Sequence, residues 1–378
     1  MKRKLLLAVR RINIALTILF CSCVDPYSPP VIETNYNILV VDAFLNSKDG
    51  SATVTLSRTL PIYSTDATPI ESNAQVKIID ETGVEFLLSE TNKGLYTQSN
   101  IVVNPNLKYR LSIQTNANER YLSDAVPVVA SPNIDSLFWL PDGDAVSFYV
   151  NTKNSESSSR YYRWDCFESY EYNSAYASTV KLVSGVVYSR TPAEYINKCW
   201  RVVPYPDLIL GSTTSSVENV VSKAEVKTVE AGTIKLSQTY SLLVRQYSIT
   251  EEAYNHWTKL KQTTESLGGL FDPMPTQVSG NIHNINSSGQ IAVGFFSAGS
   301  FEEKRIFLNF YDLPIPLRRY STNCLIDSVN LFDVSRFTDA TLLIVPYGTP
   351  PAGYLRSTRE CIDCRLHGGT TTKPSFWK

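Results

Sequence analysis

Apolar and polar positions alternate along most of this 378-residue chain. Between residues 37 and 128 the alternation falls into seven short stretches: NILVVDAFLN (37–46), SATVTLSRT (51–59), AQVKIIDE (74–81), VEFLLSE (84–90), LYTQSN (95–100), KYRLSIQT (108–115) and ERYLSDAVPV (119–128). A period of two places alternate side chains on opposite faces of a strand, so Tyr109, Leu111 and Ile113 share one face. The breaks KDG, ETG and NPN supply turn residues. Seven strands of this length in about 95 residues predict an immunoglobulin-like β-sandwich over residues 36–130. The segment PVVASPNIDSLFW (127–139) reads as a linker to a second region.

The same alternation returns in AVSFYVNT (145–152), RYYRWDCFESY (160–170), VKLVSGVVYS (180–189), NVVSKAEVKTV (219–229), TIKLSQTYSLLVRQYSI (233–249), QIAVGFFSAG (290–299) and KRIFLNF (304–310). One stretch has helical period instead. In SITEEAYNHWTKLKQTTESLGG, Ile249, Ala253, Trp257 and Leu260 form a stripe, Ser248 and Glu251 make a capping box, and Gly268-Gly269 ends the pattern. The expected fold class is mainly β: the sandwich, then a larger antiparallel β-rich domain over residues 140–378 with one main helix near 249–267. Spacing leaves sandwich and barrel both open for this second domain.

The start of the chain breaks the pattern. Five basic residues and no acid occur in residues 1–22, together with the short apolar run INIALTILF, and the sequence then passes through FCSCVDP. The run is too short for a spanning helix, which needs roughly 20 apolar residues. It fits the apolar segment of an export signal. Phe20 sits where an ordinary cleavage site needs a small residue, so the segment resembles a bacterial lipoprotein signal with Cys23 as the lipid-anchor residue. Each buried methylene contributes about 0.8 kcal/mol, so stable attachment takes more than one acyl chain. Residues 1–22 are the expected signal peptide. The proline-rich residues 23–35 are the expected tether.

Composition narrows the function classes. Lys and Arg total 35 and Asp and Glu total 36, so the body beyond the basic start is mildly acidic and has no electrostatic reason to bind nucleic acid. The aromatic load is heavy, with 22 Tyr, 15 Phe and 5 Trp, and suits both sheet cores and contact surfaces. Aromatics in loop-like sequence are the binding candidates: Trp139, Tyr162, Trp164, Trp200 and Tyr205, together with Tyr161, Tyr170 and Trp377. The tail tryptophan, Trp377, is expected to dock on the body.

Cysteines past a lipidated Cys23 are Cys166, Cys199, Cys324, Cys361 and Cys364, an odd number in an oxidising compartment. The expected bonds are Cys166 with Cys199, and Cys324 with either Cys361 or Cys364. Cys361-Ile362-Asp363-Cys364 has redox-motif spacing but lacks the strand and helix that lower a thiolate pKa. With His367 it supplies only one ligand cluster, where structural zinc uses two. Glu252 and His256 lie one helical turn apart and read as a solvated pair, and His283 in GNIHN sits in loop-like sequence. No nucleophile elbow, phosphate loop or dinucleotide fingerprint occurs, and no metal or cofactor site is marked.

Three stretches carry a family resemblance: NILVVDAFL (37–45), GGLFDPMPTQVSGNIHN (268–284) leading into GFFSAGS (294–300), and CIDCRLHGGTTTKPSFW (361–377). With them the chain resembles the Bacteroidota outer-membrane lipoproteins that carry domain of unknown function 4249. The resemblance implies a lipid anchor in the outer membrane, facing outward or toward the periplasm, and an accessory role beside a TonB-dependent β-barrel transporter. It brings no catalytic residues. The expected function is therefore non-enzymatic, accessory or ligand-capturing, with a glycan or peptide ligand. The alternatives are a surface glycan or peptide hydrolase and a structural envelope protein.

Overall fold

The computed structural model describes residues 37–60, 64–153, 159–203, 207–265, 280–287, 291–334 and 341–378. The signal, Cys23 and the tether lie outside them, as do Tyr205 and the Gly268-Gly269 stop.

The first eight strands are β1 (Leu39–Asn46), β2 (Ser51–Arg58), β3 (Gln75–Asp80), β4 (Glu85–Asn92), β5 (Leu95–Gln98), β6 (Lys108–Gln114), β7 (Arg120–Ser123) and β8 (Val126–Val129). After them come β9 (Ser136–Asp142), β10 (Ala145–Lys153), β11 (Tyr161–Asn173), β12 (Val180–Val183), β13 (Val186–Ser189), β14 (Lys198–Val202), β15 (Asp207–Ser212), β16 (Val220–Glu230) and β17 (Thr239–Ile249). The helix α1 (Glu251–Glu265) precedes β18 (Ile282–Asn284), β19 (Ala292–Gly299), β20 (Phe301–Asn309), β21 (Asp327–Asn330), β22 (Thr341–Tyr347) and β23 (Gly353–Thr358). The protein is mainly β.

The first body is one ten-stranded sheet in the order β18-β7-β6-β3-β4-β5-β2-β1-β19-β8, and a further β6–β8 pairing closes it into a flattened, barrel-like sandwich. The alternation does what it should: Leu39, Val41, Ala43 and Leu45 of β1, Val54 and Leu56 of β2, and Leu111 and Ile113 of β6 share one interior cluster. Two members come from far along the chain. β19 runs parallel to β1, Val41 opposite Gly294, and β18 pairs with β7. The expected sandwich boundary at residue 130 therefore misses two strands. The stretch 127–139, expected to be a linker, holds β8 of this body and β9 of the next.

The GNIHN and GFFSAGS stretches explain their glycines here. Gly294 has φ +133°, and a Cβ on it would lie 1.8 Å from the Val41 carbonyl oxygen; one on Gly280 would lie 1.4 Å from the Gly294 oxygen. Only glycine permits such backbone approach. Asn281 then acts like a strand residue, donating from Nδ2 to the Phe296 carbonyl at 2.9 Å and accepting from the Phe296 N–H at 2.9 Å.

The second body is a sandwich of a three-stranded sheet, β16-β10-β9, against a sheet ordered β14-β11-β17-β20 with β15 also paired to β11. Phe148 and Val150 face Tyr162, Trp164, Tyr240 and Val244 in its core. A polar knot is buried with them. Gln246 Oε1 accepts from Trp164 Nε1 at 2.8 Å and from Thr152 Oγ1 at 2.8 Å, while its Nε2 donates to the Pro132 carbonyl at 2.9 Å. The three-stranded sheet β21-β23-β22 and the β12–β13 hairpin complete the C-terminal portion.

Two disulfides fasten that portion: Cys199–Cys364 and Cys324–Cys361. The expected Cys166–Cys199 bond is not formed, and strand register explains why. On β11 it is Tyr172 that pairs with Cys199. Cys166 lies six residues back along the strand, about 20 Å away at ~3.3 Å per residue. Its thiol is free and buried, and burial pushes its pKa up. Cys361 and Cys364 bond outward to different partners, which consumes the thiols that a redox pair or a zinc site would need. Trp377 docks as anticipated, edge-on to Phe307 at 5.4 Å.

Candidate functional site

Alternation has a second consequence. While one face of β1 fills the first core, Asp42, Phe44 and Asn46 point out of it; on β2 so do Ser51, Thr53 and Thr55, and on β19 Phe295 and Ser297. Register sets these in rows, Thr55–Asp42–Phe295 and Thr53–Phe44–Ser297. In the second body, β11 turns Tyr162, Trp164 and Cys166 inward and leaves Arg163, Asp165 and Phe167 on the opposite face. Its neighbours β17 and β20 extend the rows as Arg163–Tyr247–Phe301 and Asp165–Arg245–Glu303. The two outer faces meet across a cleft of about 430 Å³, closed at one side by Trp257 of α1.

The helix begins two residues later than its sequence signature. Ser248 is buried at the end of β17, and Thr250 is the cap, its Oγ1 accepting from the Ala253 N–H at 3.2 Å. Ala253 and Trp257 pack with Tyr247, Ile249 and Phe295 as the stripe predicts. His256 is not solvated as expected. It is buried, with ring centroids 5.2 Å from both Trp257 and Phe295, while Glu252 is exposed.

Charge in the cleft is almost fully paired. Arg163 donates from Nε and Nη2 to the two Asp165 oxygens, each at 2.8 Å. Its guanidinium also lies 4.4 Å from the Trp257 ring centroid and 5.1 Å from that of Tyr247. Arg245 lies 4.3 Å from the Phe301 centroid and pairs with Glu303 at 2.6 Å. Burial, with the Asp165 charge nearby, pushes the Tyr247 hydroxyl up to about 12.

Asp42 is the exception. Among the described residues it accepts no hydrogen bond and forms no direct ion pair. Water reaches it from the cleft, yet protein atoms crowd round it. That crowding raises its carboxyl above the ordinary value; the Arg163 charge opposes the rise and the Asp165 charge adds to it. A reachable carboxylate without a donor, between aromatic walls, is suited to hold a ligand hydroxyl or amine.

A larger hollow of about 950 Å³ lies nearby, lined chiefly by residues 127–133. Two of its charged groups are engaged. Arg160 donates to the carbonyls of Thr213, Ser216 and Val217, and Glu302 pairs with Lys48 at 2.6 Å. The smaller cleft has the chemistry.

The aromatics expected to bind do not line it. Tyr162 and Trp164 are 0% and 2% exposed in the second core, Trp200 is 8% exposed beside Cys199, and Tyr170 is buried too. They lie on strands, not in loops, and strand alternation points them inward. Trp139 is half-buried on β9 against the same core. Tyr161 faces the larger hollow and packs on Tyr254 at 5.0 Å. His283 is exposed on β18, 3.2 Å from Asp124. The signal lies in RYYRWDCF and LVVDAF: charged residues at mid-strand, Arg163 and Asp165 opposite the inward Tyr162 and Trp164, and Asp42 opposite the inward Val41 and Ala43.

Two face-to-face β-sandwiches with a polar, aromatic-walled cleft between them define the class of protein. The chain belongs to the family described as Domain of unknown function (DUF4249), whose model matches residues 24–305. The closing stretch 361–377 lies beyond that match. No curated protein matches. Two solved structures resemble it faintly. A candidate carbohydrate binding protein from Bacteroides uniformis is 10% identical with a TM-score of 0.16, covering 57% of this chain and 91% of its own. The chitinase ChiA74 from Bacillus thuringiensis is 11% identical with a TM-score of 0.15, covering 48% of this chain and 30% of its own. Neither likeness is close enough to carry an argument.

Proposed function

We propose that this protein is a lipid-anchored, non-enzymatic accessory of the outer membrane that captures a small polar ligand in the inter-sheet cleft and works beside a TonB-dependent transporter. The observation that carries the capture reading is Asp42, a carboxylate open to the cleft with no hydrogen-bond donor among the described residues. Every other charged group lining that space has a protein partner. The cleft volume is within the range of small-molecule sites.

The anchor rests on the basic start, the apolar run and Cys23, and the outer membrane and the transporter on the family resemblance. Attachment confines the protein to two dimensions and raises its effective concentration near a membrane partner. A glycoside hydrolase of the two-carboxylate kind would need a second free carboxylate facing Asp42. The other carboxylate lining the cleft is Asp165, and Arg163 holds both its oxygens.

Copurification from detergent-solubilised outer membrane, read by mass spectrometry, tests the partner. A β-barrel transporter should be recovered with the wild-type protein; its reproducible absence refutes that part. In the same preparation Cys23→Ser should move the protein to the soluble fraction, and unchanged membrane attachment refutes the anchor.

A further inference from the structure

We infer that the ligand of this cleft is an uncharged saccharide of mono- to disaccharide size. The inference rests on the capture reading and adds the chemical class. Three properties of the cleft select it.

The first is charge. An anionic ligand needs an unpaired cation, and both arginines already have carboxylates, Asp165 for Arg163 and Glu303 for Arg245. A cationic ligand could pair with Asp42, but two arginines share the cleft with it. The faces of Trp257, Tyr247 and Phe301 are already met by the two guanidinium groups at 4.3 to 5.1 Å. Those same groups repel an ammonium. A neutral ligand meets neither obstacle.

The second is the donor and acceptor pattern. Asp42 offers acceptors and faces the charge of Arg163, whose Nη1 makes no hydrogen bond among the described residues. A hydroxyl both donates and accepts, so neighbouring hydroxyls on a sugar ring can donate to the carboxylate and accept from the guanidinium. The hydroxyl-bearing Ser51, Thr53, Thr55 and Ser297 surround the same space and suit several more sugar hydroxyls. A purely apolar ligand would strip water from Asp42 and return nothing.

The third is shape. Phe44 and Phe167 share the lining half-buried, Phe167 with the Arg245 guanidinium 5.3 Å from its centroid, while Phe295 is buried against His256; a sugar ring presents C–H faces to aromatics while its edge hydrogen-bonds.

The test uses the full-length chain in a detergent without a sugar headgroup. It is applied to an array of neutral, uronic-acid and sulfated glycans, and binding is then titrated by calorimetry; the dipeptide Lys-Lys serves as cationic probe. Neutral glycans should bind, and Asp42→Asn should weaken them at least tenfold, as expected when a charge-assisted hydrogen bond becomes a neutral one. Thr55→Trp, which fills the cleft from β2, should abolish binding, and thermal melts should show both variants folded. His283→Ala, which does not line the cleft, should bind like wild type. Binding confined to acidic glycans or Lys-Lys, and lost in Asp42→Asn, overturns the uncharged saccharide but leaves the cleft as the site. Neutral-glycan binding that survives both cleft variants overturns the cleft itself. No binding to any neutral glycan overturns this inference.

Discussion

Removing the Cys199–Cys364 bond is the perturbation whose cost the topology sets most directly. The two residues are 165 apart in sequence. Chain-entropy reasoning gives a closed loop of that length about 5 kcal/mol of stabilisation. Cys324–Cys361, 37 apart, lies inside it and shortens the closed path to about 130 residues, which lowers the figure by only about 0.2 kcal/mol because the dependence is logarithmic. By the same reasoning the inner bond alone is worth about 4 kcal/mol. The outer bond also seats the tail. Tyr172 donates its hydroxyl to the Cys364 carbonyl at 2.7 Å, and Trp200 and Thr370 exchange backbone hydrogen bonds at 2.8 and 2.9 Å. The double variant Cys199→Ala/Cys364→Ala should therefore lose about 3–5 kcal/mol in urea unfolding. Cys166→Ala, which breaks no bond, should lose clearly less. Non-reducing peptide mapping should recover Cys199 joined to Cys364. A Cys166–Cys199 peptide, or a double variant within about 1 kcal/mol of wild type (a threshold set by what ordinary surface changes cost), refutes the reasoning.

Other outcomes follow from the buried polar groups. Gln246→Leu leaves Trp164 Nε1 and Thr152 Oγ1 without their acceptor and should cost about 3 kcal/mol in the same unfolding assay. Glu168 is buried, which alone would raise its pKa, but Lys235 and Lys227 bind it at 2.8 and 2.9 Å and hold it below the usual value. Its folded value is thus below its unfolded one. The stabilisation is present at neutral pH and lost as pH falls through the folded value, and Glu168→Gln should flatten that acid limb in melting temperatures across pH. Asp42 has the opposite sign, because its folded value is raised. Its contribution is full below the unfolded carboxylate range and is lost as pH rises through the folded value, so Asp42→Asn should melt higher than wild type at neutral pH, and a lower melting temperature there refutes the crowding argument.

Most strands were legible because each has one face on a core. The alternation of LVVDAFLN and KYRLSIQT places them correctly, and the helix stripe Ala253 and Trp257 packs as its period requires. Partners distant in sequence were not legible. Nothing local tells β19 to run parallel to β1, since that choice depends on the close approach of Gly294 to Val41. The cleft was hidden for a related reason. Arg163 and Asp165 on β11 look like ordinary solvent-facing residues until a second sheet covers them. The aromatics next to them, Tyr162 and Trp164, read as contact residues although alternation turns them inward. Of the two expected disulfides, Cys324–Cys361 is formed, and Cys166–Cys199 fails on register, because those residues lie on neighbouring strands but about 20 Å out of step.

The most direct test of the capture function is a crystal structure of the wild-type protein soaked with the neutral glycan that binds it best. The account predicts sugar density between the two sheets, with a hydroxyl within hydrogen-bond distance of the Asp42 carboxylate and a ring face on the phenylalanines. Density bound elsewhere on the protein, with only water around Asp42, contradicts it.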